Sequence, residues 1–196
     1  MTLHQSILKA LYPIIMWFGQ LFGGKSAILH QASSTTPPPA NFYELSATLI
    51  DGTFFNFAQL KGKKVVIVNT ASNCGFTAQY EALQRLHTQY KDSLCILGFP
   101  SNNFKQQEKG SDSAIQTFCK RNYGVDFYLF SKTQVTKNPQ QHPVFTWLSH
   151  ANKNGWCNKA PSWNFCKYVI DQHGQLTHFF PSAIAPDSPQ FLKAIQ

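Results

Sequence analysis

The chain has 196 residues, 43% of them hydrophobic and 14% aromatic, with a formal net charge of +8. That is enough apolar material for about one ordinary domain core without disulfide staples, and an odd count of five cysteines excludes a disulfide-rich scaffold. The basic residues are scattered, with small groups at Lys61, Lys63, Lys64 and at Lys120, Arg121; with no long basic run and no nucleic-acid motif, the charge reads as solubilising and leaves only an anionic membrane or an anionic reductant open as partners.

Residues 1–30 differ from the rest. An uncharged apolar run from Ala10 to Gly24 lies between Lys9 and Lys25. It is shorter than the ~20 apolar residues a transmembrane helix needs. Two readings stand. The run has the length of a signal-peptide apolar region, with Gly24-Lys25-Ser26 as a small-x-small cleavage site. Alternatively it is an interfacial anchor that stays attached through residues 7–24, with Trp17 and the two lysines at headgroup level. The protein is accordingly expected to be exported to the periplasm or membrane-associated rather than cytoplasmic. Residues 31–41, with Ser33-Ser34-Thr35-Thr36-Pro37-Pro38-Pro39-Ala40, read as a linker.

The folded domain is expected over 42–196. Residues 43–49 alternate as a strand, and Ile50-Asp51-Gly52-Thr53 supplies a hairpin turn. The β-branched run over 63–69 has the pattern of a central strand covered on both faces. Helical spacing follows over 77–91, with Tyr80, Leu83, Leu86 and Tyr90 on one side. A second buried strand over 93–99 is stopped by Pro100. A helix over 111–122 has Ser111 as N-cap and Gly124 past its end. A short strand (127–130) and a short helix (143–150, with Pro143 in its first turn) come next. Strands over 167–170 and 176–180 flank the turn Asp171-Gln172-His173-Gly174, and the last helix covers 189–195. The order predicts an α/β fold: a central mixed sheet, helices on both faces, and an N-terminal β-hairpin.

Cys74 follows the first buried strand, just before the expected helix start. Backbone N–H groups at a helix N-terminus favour a thiolate, so a cysteine there is a candidate nucleophile. Pro100 and the loop after it leave the neighbouring strand at the same edge, which brings Gln107 within reach. Trp163 and Asn164 precede another strand and complete a pocket of neutral hydrogen-bond donors. Such donors favour a thiolate and hold a peroxide oxygen as charge develops on it. No CxxC pair and no Cys/His spacing points to zinc. Cys95 and Cys166 read as core. Cys157 reads as a loop thiol, or as a partner of Cys166 in an oxidising compartment.

With these residues in place the chain resembles the glutathione peroxidase family, a branch of the thioredoxin-like fold. The resemblance runs from about Phe42 to the C-terminus. It rests on Asn69-Thr70-Ala71-Ser72-Asn73-Cys74-Gly75-Phe76-Thr77, on the loop from Phe99 through Gln107-Glu108 to Gly110, and on Trp163-Asn164-Phe165. It implies that Cys74 is the peroxidatic residue, with Gln107, Trp163 and Asn164 as catalytic partners. It implies no prosthetic group, only a thiol co-substrate. The segment around Cys119 resembles the one that carries the resolving cysteine in thioredoxin-using members. This implies a Cys74–Cys119 disulfide, which demands partial unwinding of the 111–122 helix, and Lys120 and Arg121 beside Cys119 are expected to lower its pKa or to dock a reductant.

Departures from the family pattern are Ser101 for a common cysteine, Asn103 for glutamine, Lys109 for proline, and Phe179-Phe180 for Arg-Tyr. The lost arginine weighs against recognition of glutathione carboxylates. The segment 151–162 is short, so a monomer is expected. The activity implied is reduction of hydrogen peroxide and organic or lipid hydroperoxides, with a thioredoxin-like protein as first reductant and glutathione second. The alternative is a peroxide sensor or relay acting on a partner protein by thiol–disulfide exchange. A plain thiol–disulfide exchanger is disfavoured by the missing CxxC.

Overall fold

The computed structural model of the chain describes residues 1–23, 28–31 and 36–196. Its centre is a pair of parallel strands that are apolar on both faces. β4 (Lys64–Thr70) pairs with β5 (Leu94–Pro100) from Lys64↔Leu94 to Thr70↔Pro100, and every residue of the two except Lys64 is buried. The other strands are β1 (Leu29–His30), β2 (Ser46–Thr48), β3 (Phe54–Asn56), β6 (Tyr128–Leu129), β7 (Lys167–Ile170) and β8 (Leu176–Phe180). The main sheet runs β1-β8-β7-β4-β5-β6, and β2 with β3 forms the separate hairpin. β4, β5 and β6 are parallel, while β7, β8 and β1 are antiparallel to their neighbours.

Parallel neighbours need crossovers, and right-handed crossovers put consecutive helices on one face. α2 (Gln79–Gln89) joins β4 to β5, and α3 (Asp112–Tyr123) joins β5 to β6. Together with α6 (Pro189–Ile195) they cover one face, where Val66, Val68 and Ile96 pack against Leu83, Ile115, Cys119 and Phe191. The other face sets Val65, Ile67, Leu97 and Phe99 against α4 (Pro143–Leu148), Phe55 of the hairpin and Phe57 just after it. The expected mixed sheet with helices on both faces and an N-terminal hairpin is the observed architecture.

Element boundaries differ where side chains compete for the backbone. The strand expected over 43–49 is shortened to β2, because Asn41 caps a 3-10 turn at Phe42–Glu44 by accepting from the Tyr43 N–H (3.0 Å). The helix expected over 143–150 breaks after Leu148. There the Ser149 hydroxyl donates to the Phe145 carbonyl at 2.7 Å, and α5 (Ala151–Asn154) starts anew.

The N-terminal stretch contributes to this body. α1 (Leu3–Gly23) opens with a reciprocal cap, Thr2 N–H to Gln5 Oε1 at 2.8 Å and Gln5 N–H to Thr2 Oγ1 at 3.3 Å. Pro13 lies inside the helix. An interior proline costs about 3 kcal/mol, so α1 depends on what it packs against. β1 covers the edge of β8 that would otherwise be unpaired, with Leu29 opposite Phe179. Within the expected linker, the Gln31 N–H donates to Thr177 O (2.9 Å) and the Ala40 N–H to Lys153 O (2.9 Å). The expected cleavage site Gly24-Lys25-Ser26 lies outside the described residues. Among the described residues, no helix is long and apolar enough to cross a membrane.

Trp147 anchors the face away from Cys74. It is 1% exposed, its Nε1–H donates to Ala40 O at 2.7 Å, and its ring lies 5.2 Å from that of Phe42. Trp147→Ala is expected to lower unfolding stability by about 3–5 kcal/mol, read as a shift in the urea midpoint.

Candidate active site

β4 and β5 end side by side, with Thr70 opposite Pro100. β7 runs the other way, so its first residue, Lys167, sits opposite Val68 near the same edge. The segments that leave β4, leave β5 and enter β7 therefore meet at one sheet edge. Backbone bonds lock them: Ser101 N–H to Thr70 O (3.0 Å), Asn73 N–H to Gln107 O (3.1 Å) and Phe165 N–H to Asn69 O (2.6 Å). The Asn69 side chain works in the same place, donating to Trp163 O at 3.0 Å and accepting from the Cys166 N–H at 3.1 Å.

Cys74 stands on the turn between β4 and α2. Thr77 Oγ1 shapes that turn by accepting from the Cys74 N–H (3.0 Å) and donating to Ala71 O (2.8 Å). The Phe76 N–H donates to Cys74 Sγ at 3.4 Å. The side chains of Trp163 and Asn164 face the sulfur closely enough to pull its pKa down. Asn164 Nδ2 donates to Gln107 Oε1 at 2.9 Å, so Gln107 joins the group through Asn164. Phe104 (ring centroid 5.7 Å away) and Lys105 Nζ (5.6 Å) hold the Trp163 ring. The structure thus brings together Cys74, Gln107, Trp163 and Asn164, and it leaves Asn164 Oδ1 buried without a partner.

The electrostatics depart from the expectation. α2 begins at Gln79, not directly after Cys74, so the sulfur lies outside the first turn where a helix terminus acts. Its hydrogen-bond donor is a turn N–H, with the Trp163 and Asn164 side chains beside it. Cys74 is only 1% exposed. Burial pushes its thiol up, outweighing the pull of the Phe76 N–H, Trp163 and Asn164.

Strained backbone flanks the site residues. Lys105 (φ 47°) and Gln106 (φ 50°) precede Gln107, and Phe165 (φ 65°) follows Asn164. These are the non-glycine residues with positive φ among the described residues. Such conformations persist only where the surroundings over-determine them.

Cys119 is elsewhere. It sits in α3, fully buried against Tyr80, and burial raises its thiol to about 12. Lys120 and Arg121 are exposed while Cys119 faces the core. The expected lowering of its pKa is therefore absent in this state. All five cysteines are free. Cys95 is core, as read from the sequence. Cys166 is buried, with Sγ 3.6 Å from Ser182 Oγ. Cys157 is a free thiol, one of its two readings from the sequence, with no bond to Cys166, and it is 1% exposed.

Sequence reasoning gave no role to Asn69, Thr77 or Glu108, although all three lie in the stretches that drew attention. Glu108 is 1% exposed, and its carboxylate accepts from Ser72 Oγ at 3.0 Å. Its N–H donates to Asn102 Oδ1 at 2.9 Å. It pins the Cys74 turn to the loop after β5. Burial raises its carboxyl from 4.5 to about 7.

A family model described as glutathione peroxidase matches residues 42–149. A "glutathione peroxidase-like peroxiredoxin" of Chlamydomonas reinhardtii is 45% identical over 159 residues, covering 78% of this chain and 97% of that protein. The crystal structure of T. cruzi GPX1 superposes with a TM-score of 0.57 at 28% identity, covering 79% of this chain and 96% of that one. A thioredoxin-family thiol:disulfide interchange protein of Chlorobium tepidum shares the fold, with a TM-score of 0.57 at 17% identity over 84% of this chain and all of that one (100%).

The raised Glu108 carboxyl has a defined pH signature. Between about 4.5 and 7 the folded state holds a proton there that the unfolded chain has lost. Stability contributed by this group is present below 4.5 and falls as pH rises through 7. Glu108→Gln is expected to remove that slope. The difference between variant and wild-type unfolding free energies should grow by up to about 3 kcal/mol between pH 4 and 8. Parallel stability–pH curves for the two proteins would contradict the assignment.

Proposed function

The chain belongs to the glutathione peroxidase family and is a peroxidase, and on that premise we propose a two-cysteine cycle in which Cys74 reduces the hydroperoxide and Cys119 resolves it. The observation that carries this reading is the convergence of Cys74 with Trp163, Asn164 and Gln107 at one sheet edge.

The steps balance as follows. The Cys74 thiolate attacks the terminal peroxide oxygen. The O–O bond breaks, the leaving alkoxide takes the proton the thiol gave up, and Cys74 becomes a sulfenic acid. The Trp163 N–H and the Asn164 amide stabilise the thiolate and the charge that moves onto oxygen, while Gln107 holds the Asn164 amide in place. The Cys119 thiol then attacks the sulfenic sulfur. A disulfide forms, and water leaves with the Cys119 proton. A dithiol reductant returns both cysteines to the reduced state.

A thioredoxin-type reductant is favoured, with glutathione second. The "peroxiredoxin" in the name of the Chlamydomonas relative supports it. So does a surface groove along α3, lined by Gln116, Thr117, Lys120, Arg121 and Asp126, which lies over the helix that carries Cys119. Substrates in this proposal include organic and lipid hydroperoxides. α1 is taken as an interfacial helix resting on a membrane surface, because Leu3, Ile7, Leu11, Ile14 and Phe18 leave an apolar stripe exposed.

Cys119 points into the core from the middle of α3, so closing the disulfide requires that helix to open. Amide exchange in 112–123 is expected to be faster in the disulfide form than in the reduced form, and equal rates would contradict the cycle. Peroxide consumption assigns the roles. Cys74→Ser is expected to be inactive with either reductant. Cys119→Ser is expected to lose turnover with a thioredoxin system while retaining one equivalent of peroxide reduction per chain. Undiminished thioredoxin-linked turnover in Cys119→Ser would reject it as the resolving residue.

A further inference from the structure

A peroxidatic sulfur must meet its substrate, yet Cys74 is only 1% exposed. Part of what lies over it is α1. Gln5 Nε2 donates to Asn73 Oδ1 at 3.0 Å, just before Cys74 in the chain. Just after it, Ile15 crowds Gly75 so closely that a Cβ there would come within 2.8 Å of Ile15 Cδ1. Met16 is buried, with its sulfur 3.8 Å from Gln79 Nε2 at the start of α2. Lys9 pairs with Glu81 of α2 at 2.5 Å and lies 5.3 Å from the Tyr123 ring of α3. The helix therefore straddles the Cys74 turn, touching both neighbours of the cysteine and two helices of that face, α2 and α3.

The opposite side of α1 is also apolar. Leu3, Ile7, Leu11, Ile14 and Phe18 recur at helical spacing and are 43–79% exposed, with Trp17 at 58%. A helix whose outer face should be polar instead offers a second apolar seat. No Asp or Glu occurs before Glu44, and the chain carries +8 overall. That charge pattern suits an anionic headgroup layer, where Lys9 would exchange Glu81 for lipid phosphate. An interfacial helix settles into the headgroup–acyl boundary. At that depth Tyr12, Ile15 and Met16 also find apolar surroundings, so little holds them to the domain.

We propose that α1 is a removable cover on the Cys74 turn, and that an anionic lipid bilayer draws it off by taking its apolar faces, admitting a hydroperoxide to the sulfur. The proposal rests on the interfacial reading of α1 given above and adds access control to it. It accounts for the raised Cys74 thiol with α1 seated, since lifting the helix reduces the burial that raises it. Activity would then be concentrated where lipid hydroperoxides are.

The test uses the full chain and two readouts: sedimentation with phosphatidylglycerol–phosphatidylcholine vesicles, and the rate of Cys74 alkylation by iodoacetamide resolved by mass spectrometry. Continued protection of Cys157 reports that the domain stays folded. Wild type is expected to alkylate slowly in buffer and about tenfold or more faster with vesicles, as a shift toward an open state requires. Ile15→Asn, which breaks the inner seat, is expected to be fast without vesicles. Ile7→Ser/Ile14→Ser, on the outer stripe, is expected to stay slow and to lose vesicle binding. Equal alkylation rates for wild type and Ile15→Asn in buffer would overturn the cover, whatever the vesicles do. Vesicle binding without faster alkylation would overturn the gating while sparing the interfacial reading. Absence of wild-type binding would overturn the lipid as the agent.

Discussion

The Asn69 side chain, fully buried at the end of β4, is the contact on which the site depends. Its amide donates to Trp163 O and accepts from the Cys166 N–H, while its own carbonyl takes the Phe165 N–H. One residue thereby fixes the chain on both sides of Asn164 against the strand that leads to Cys74. The positive φ of Phe165 is the local cost of that arrangement. Gln107 is then held from two directions, by the Asn73 N–H on its carbonyl and by Asn164 on its side chain. Remove the bridge, and the donors around the sulfur lose their common frame.

Burial and reactivity pull against each other at this edge and beneath α3. Cys74, Glu108 and Cys119 all have their ionised forms disfavoured by burial. Lys167 shows the same effect with opposite sign. It is fully buried between Gln79 Oε1 (2.7 Å) and Ile184 O (2.5 Å), and its ammonium falls to about 7. A site in this condition is closed and largely uncharged. The proposed chemistry at Cys74 calls for a more open state, and in that proposal two elements provide it. α1 lies over the cysteine turn, and α3 holds the second thiol inward. α3 packs in the same core as Cys74, and α1 touches that side of the molecule through Gln79, Glu81 and Tyr123.

Much of this was legible from local pattern. The continuous apolar runs over 63–69 and 93–99 match strands buried on both faces, because a strand exposed on one face would alternate. Ser111 and Gly124 bound α3 as expected, since a side-chain cap and a left-handed glycine (φ 64°) act within one turn. The expectation that Cys74, Gln107, Trp163 and Asn164 share one edge came from strand order together with the family resemblance. The pairing of Leu29–His30 with β8 was not legible, for a two-residue strand carries no periodicity. Neither was the burial of Lys167, whose residue type predicts exposure.

By itself the sequence determined most of the strands and helices of the domain, and, through the family resemblance, which three stretches belong with the cysteine. Those properties depend on neighbours within a few positions, where period, caps and turns act. The tertiary structure alone decided that Cys74 is sealed, that its thiol is raised rather than lowered, that Cys119 faces the core, and that α1 lies over the site. Burial and ionisation depend on contacts between residues far apart in the chain, such as Gln5 with Asn73 or Ile15 with Gly75. No local pattern encodes which of two apolar faces of a helix finds the protein and which is left to the solvent or a membrane.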